Sequence, residues 1–138
     1  MSARILLDTS VVIHLGHLAQ PPPEEAEPAV SALTVAELEA GVATAADDRE
    51  RALRMERLEE VLADVAVVPF DGVAARAYGD VVADLRRSGR RERARTMDLL
   101  IAATAIAHGL AFYTVNAGDF VGIDGLDLHA VRHPDADG

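Results

Sequence analysis

Short apolar runs alternate along this chain with longer stretches of helical periodicity, and that alternation restricts the fold more than any other feature of the sequence. Residues 4–7 (Arg-Ile-Leu-Leu) predict a buried strand that ends at Asp8-Thr9-Ser10, a helix N-cap signal, with the helix running to about Leu18. Residues 20–28 (Gln-Pro-Pro-Pro-Glu-Glu-Ala-Glu-Pro) predict an exposed loop, because proline removes backbone donors and constrains the residue before it. Residues 29–33 predict a second strand, and Thr34-Val-Ala-Glu37 has capping-box spacing at the start of the next helix. Residues 48–62 are amphipathic, with Leu53, Leu58, Val61 and Leu62 on one side. A third strand over 65–70 is followed by a helix from Asp71-Gly72 through about Arg87, stopping near Ser88-Gly89. Thr96 is expected to cap a helix that ends at Gly109. Strands over 110–115 and 128–131, a loop over 116–120 and a frayed tail over 133–138 complete the pattern. Strands alternating with helices imply right-handed crossovers. The expected fold is therefore α/β, a three-layer α/β/α sandwich around a mostly parallel sheet of four to five strands, in one domain over residues 1–132.

At 138 residues and 50% hydrophobic composition the chain can bury one core, and a mean hydropathy of +0.13 lies outside the disordered regime. It contains no cysteine, which removes disulfides, thiolate metal sites and cysteine nucleophiles together. The apolar runs are too short to cross a bilayer, so the protein is expected in the cytoplasm with no membrane partner. Net charge is −10, which argues against general coating of nucleic acid. The 13 cations are all arginine, and six of them fall in the run Arg86-Arg-Ser-Gly-Arg-Arg-Glu-Arg-Ala-Arg95. Without lysine there is no P-loop and no Schiff-base chemistry.

Four acids occupy one kind of position. Asp8 follows the first strand, Glu37 lies in the first turn of the helix after the second, Asp98 lies in the first turn of the helix before the fourth, and Asp119 follows the fourth. Open α/β sheets bind ligands outside the carboxyl ends of their strands. If the first and fourth strands are neighbours, the carboxylates converge, and two like charges 4 Å apart repel by about 4 kcal/mol at an effective dielectric of ~20. Raised carboxyl pKa values would relieve this, but a hard divalent cation matches oxygen ligands better, so Mg²⁺ is expected, with Mn²⁺ as a substitute. Such a site suits phosphodiester hydrolysis. Each acid also has a structural explanation: Glu37 in a capping box, Asp98 at the positive end of a helix dipole, Asp8 as an N-cap and Asp119 as a solvated loop residue.

The local sequences resemble the PIN-domain ribonucleases, and among them the VapC-type toxins of bacterial toxin–antitoxin pairs. Leu6-Leu-Asp8-Thr-Ser10, Thr34-Val-Ala-Glu37-Leu, Met97-Asp98-Leu-Leu-Ile-Ala-Ala-Thr-Ala and Thr114-Val-Asn116-Ala-Gly-Asp119-Phe120 resemble the four acidic motifs in order. The resemblance implies Mg²⁺ held chiefly by Asp8 and Asp98, with Glu37 and Asp119 completing the pocket and orienting the attacking water. It places Thr9, Ser10, Thr114 and Asn116 in a supporting polar shell. It further implies a parallel sheet, a homodimer, RNA as substrate and a cognate antitoxin that blocks the site. The proline-rich loop and the arginine run are not part of the motifs.

Arg90, Arg91, Arg93 and Arg95 could guide an RNA backbone toward the acids, against the alternative of a solvated connection that balances charge. His14 and His17 have metal-compatible spacing but no further ligands to complete a zinc site. A haloacid-dehalogenase-like phosphatase also places Asp after its first strand, yet it expects a second Asp where Ser10 stands and a lysine that this chain lacks. A phosphoacceptor module fails on the same lysine. A catalytically inactive PIN-like scaffold that binds only protein partners is the remaining alternative.

Overall fold

The computed structural model describes residues 3–14, 22–89 and 95–132. Five strands, β1 (Arg4–Leu7), β2 (Glu27–Ser31), β3 (Ala66–Val68), β4 (Ala111–Thr114) and β5 (Leu128–Ala130), form a single sheet in the order β3-β2-β1-β4-β5. Every neighbouring pair is parallel, so the sheet is wholly rather than mostly parallel. β1 is central, with Leu6 opposite Ala29 on one side and Phe112 on the other. Its three apolar residues are all buried, because both faces of the sheet are covered.

The period-two alternation of the strand divides the core in two. Leu6, Ala29 and Phe112 pack with Ala77, Val81 and Leu85 of α4 (Gly72–Arg87) and with Leu99 and Ile101 of α5 (Thr96–Ala107). Ile5, Leu7 and Val30 face the other way, onto Val11 and Val12 of α1 (Thr9–Ile13), with Val35 and Leu38 of α2 (Ala32–Ala43) and Val61 of α3 (Asp48–Asp64) packed beside them. Burying each such side chain contributes roughly 1.5–3 kcal/mol. Among the described residues no helix is long and apolar enough to cross a membrane.

Several element boundaries differ from the sequence expectation. Helix α1 closes at His14, well short of Leu18, and His17 lies outside the described residues. Strand β2 starts at Glu27 and includes Pro28. The Glu27 N–H donates to the Ala3 carbonyl on the β1 side, so the donorless nitrogen of Pro28 faces the β3 side, where pairing begins only at Ala29. Residues 32 and 33, expected as strand, are already helical, with Ser31 as N-cap accepting from the Leu33 N–H at 3.1 Å. Thr96 is not the cap of α5; Arg95 is, and its N–H donates to the Asp98 carboxylate at 3.3 Å. Residues 117–120, expected as loop, form a 3₁₀ turn (Ala117–Phe120) that buries Phe120 edge-on against Phe112. On α3 only Leu58 is fully buried, while Leu53 and Leu62 are exposed rather than inward-facing.

The sheet order fixes where a ligand can sit. The chain moves from β1 through β2 to β3 on one side, then returns to place β4 and β5 on the other. The crevice beyond the carboxyl ends of β1 and β4 is thus the topological switch point, the preferred binding location in open α/β sheets.

Candidate active site

Asp8 sits in that crevice as the N-cap of α1, and its backbone N–H donates to the Tyr113 carbonyl of β4 at 2.9 Å. The residue is only 3% exposed. The carboxylate accepts from the Thr9 N–H at 2.9 Å on Oδ1, and from the hydroxyls of Ser10 and Thr114, both at 2.8 Å, on Oδ2. Thr114 in turn accepts from the Asn116 N–H, and Ser10 from the Val115 N–H, so the end of β4 is tied to the start of α1. Burial pushes the Asp8 pKa up from its ordinary 3.8; the Ser10 and Thr114 bonds pull it back, and the charge of Asp98 pushes it up again. Among the described residues Asp8 has no ion-pair partner. Among the described residues its charge is held by hydrogen bonds.

Glu37 approaches from α2. It is the sixth residue of that helix, not a first-turn residue, which frees it from the capping role its spacing suggested. The Thr9 hydroxyl donates to Glu37 Oε1 at 2.7 Å and also meets the hydroxyl of Thr34 at 3.0 Å. Asp98 enters from the first turn of α5, and the guanidinium of Arg95 bridges it to Glu37. Asp8, Glu37 and Asp98 therefore belong to one connected set, joined through Thr9, through Arg95 and through the field of Asp98 on Asp8. Asp119 is half-buried in the 3₁₀ turn, and its described contact is a backbone bond to Asn116. The Asn116 side chain makes no cap bond and is exposed; its backbone, not its amide, serves Thr114.

Thr34 is the residue that sequence reasoning missed. It is fully buried against Thr9, and its position one helical turn before Glu37 put both on one face, a signal spent on the capping-box reading. Arg95, one of the arginines that could guide RNA or balance charge, lies against Glu37 and Asp98; Arg90, Arg91 and Arg93 lie outside the described residues. A cavity of about 510 Å³ reaches the site, lined by Thr9, Glu37 and Arg95 together with apolar Val12, Leu38, Leu58 and Val61 and basic Arg54 and Arg57.

The donor set fits a hard divalent ion: carboxylates and hydroxyls, with no sulfur or imidazole among them. A buried carboxylate without an ion-pair partner among the described residues and a guanidinium standing between the other two both mark a place that favours positive charge. Among the described residues, no three acidic or imidazole side chains are within reach of a common ion in this conformation.

The PIN domain model matches residues 5–125. The chain is 41% identical over 102 residues to the VapC ribonuclease Y4jK of Sinorhizobium fredii, covering 72% of this chain and 71% of that one. It is 30% identical over 134 residues to ribonuclease VapC1 of Rickettsia felis, covering 95% and 98%. Its fold superposes with a TM-score of 0.74 on a crystal structure of a member of the VapBC family of toxin-antitoxin systems, VapBC-5 from Mycobacterium tuberculosis, at 38% identity over 95% of this chain and 99% of that one. The chain belongs to the PIN-domain family, in its VapC group.

Proposed function

We propose that this protein is a Mg²⁺-dependent endoribonuclease, with Mn²⁺ able to substitute, acting in the cytoplasm as the toxin of a toxin–antitoxin pair. The observation that carries the reading is Asp8: a buried carboxylate at the switch point, oriented by three hydrogen bonds and, among the described residues, without an ion-pair partner. Asp8 and Asp98 would hold the ion, and Glu37 and Asp119 would complete the acidic pocket. Held there, Mg²⁺ would supply the positive charge that phosphodiester hydrolysis needs and would make a water more acidic. The chain's own residues do the positioning. Ser10, Thr114 and the Thr9 N–H fix the orientation of Asp8, and the Thr9 hydroxyl fixes Glu37 through Oε1, so that Oε2, to which Arg95 now donates, can orient an attacking water once Arg95 moves aside. Asn116 supports Thr114 through its backbone.

Kinship with ribonucleases and with a toxin–antitoxin member supports RNA as substrate and an antitoxin as partner, and we extend it to a homodimer and a single domain over residues 1–132. The phosphatase reading loses ground because Ser10, which stands where its second Asp would be, donates to Asp8. The test is cleavage of an RNA oligonucleotide by the purified chain. Cleavage should require Mg²⁺ or Mn²⁺, stop in EDTA and be lost in Asp8→Asn with the circular dichroism spectrum unchanged. Cleavage that survives EDTA would contradict the metal role, and hydrolysis of a small phosphate ester instead of RNA would contradict the substrate. Expression alone should arrest bacterial growth, with relief by a co-expressed antitoxin.

A further inference from the structure

Helix α5 opens on a contact between opposite charges drawn from two different helices. Arg95 donates from Nε to Asp98 Oδ2 at 3.4 Å and from Nη2 to Asp98 Oδ1 at 3.3 Å, and the same Nη2 donates to Glu37 Oε2 at 3.3 Å. The guanidinium is 70% exposed, whereas the Glu37 and Asp98 side chains are only 19% and 21% exposed. The cation thus covers the two acids from the solvent side and can leave without disturbing any buried contact. Each bond is long for a charge-assisted pair, and exposed ion pairs hold weakly.

We infer, on the reading of this site as a divalent-ion site, that Arg95 is a displaceable counter-ion. In the metal-free chain its single positive charge is shared between Glu37 and Asp98 and offsets part of theirs. An ion held by Asp8 and Asp98 beside Glu37 must displace it, because the two cations repel and compete for the lone pairs of Asp98. Once displaced, the guanidinium stands at the rim of the cavity that Thr9, Glu37 and Arg95 line, where a phosphate of the RNA strand is its natural acceptor. Arg95 is then a positioning residue that links two binding events. RNA that captures it removes the competitor of the metal, and by reciprocity bound metal favours RNA.

The test is an Mn²⁺ titration followed by electron paramagnetic resonance on the full chain and on Arg95→Ala. The alanine variant should bind Mn²⁺ roughly three- to tenfold more tightly, the size set by two exposed ion pairs, while its KM for an RNA oligonucleotide rises by a similar factor. A merely structural lesion would worsen both constants. Arg95→Lys, whose point charge cannot bridge both carboxylates, should fall between the two for Mn²⁺. Should the alanine variant lose helical signal, Arg95→Gln carries the same comparison. Equal or weaker Mn²⁺ binding in the uncharged variant overturns the inference alone. Failure of both chains to bind Mn²⁺ overturns the metal site and this inference together.

Discussion

Thr114→Val is the sharpest probe of how Asp8 is held. Thr114 is fully buried, and its hydroxyl donates to Asp8 Oδ2 at 2.8 Å while accepting from the Asn116 N–H at 3.0 Å. Valine keeps the shape and removes the hydroxyl. A hydrogen bond to a charged group contributes about 1.5–3 kcal/mol. Ser10 remains on the same oxygen, which puts the loss near the low end. Asn116 is exposed, so water can take its N–H at little cost. The variant should therefore be destabilised by about 1–2 kcal/mol at neutral pH, a sizeable part of the ~5–15 kcal/mol that holds a domain together. The sign with pH follows from Asp8. Its folded pKa is raised above 3.8 by burial, so the folded chain binds more protons there than the unfolded chain, and stability falls as pH rises from 3.8 through the folded value. Thr114 opposes that shift, so its removal raises the folded pKa further and deepens the fall. The penalty of Thr114→Val should thus be smaller at about pH 4, on the acid side where burial favours the protonated carboxyl of Asp8, than at about pH 8. Urea denaturation in EDTA at the two pH values measures this directly. An equal penalty at both, or none, would refute the claim that Thr114 stabilises the Asp8 charge.

Three further outcomes are expected. Asp8→Asn should lower RNA cleavage by at least about 100-fold, more than loss of a supporting group costs, yet leave the metal-free chain as stable or more stable at neutral pH, since it removes a buried charge while the amide oxygen can still accept from Thr9 and the amide nitrogen can donate to the hydroxyls of Ser10 and Thr114; a cleavage assay checks the first half and calorimetry in EDTA the second. Mn²⁺ affinity should weaken on the acid side at a pH above the ordinary carboxylate value of 3.8, because the ion requires Asp8 deprotonated and burial raises its pKa; titrations across that range would show it. Gly109→Ala should cost about 1–2 kcal/mol in urea denaturation with cleavage unchanged, because Gly109 ends α5 at φ +65° and any side chain strains that backbone.

Much of this architecture was legible in the residues, for identifiable reasons. The central strand announces itself because Ile5, Leu6 and Leu7 must face both core layers at once, which leaves no polar position between them. Asp71 and Gly109 mark helix ends through local backbone chemistry that tertiary packing does not override. The errors fall where a local signal had two uses. Thr34 and Glu37 carry capping-box spacing, but Ser31 takes the cap one turn earlier and turns both toward Thr9. Pro28 looks like a strand breaker, and only the late start of β3 beside it makes it harmless. Leu53 and Leu62 match a helical stripe, yet the face that α3 buries is narrower than the pattern implied. Neighbouring acids along the sequence could not reveal that Arg95 folds back onto two of them, because side-chain direction at a helix start depends on the helix opposite.

Anomalous scattering from a crystal soaked in Mn²⁺ tests the account at its centre. It predicts a manganese peak beyond the carboxyl end of β1, about 2.1 Å from oxygens of Asp8 and Asp98, with Arg95 swung away from them. A well-ordered crystal with no peak there, or with manganese bound only elsewhere on the surface, would contradict it.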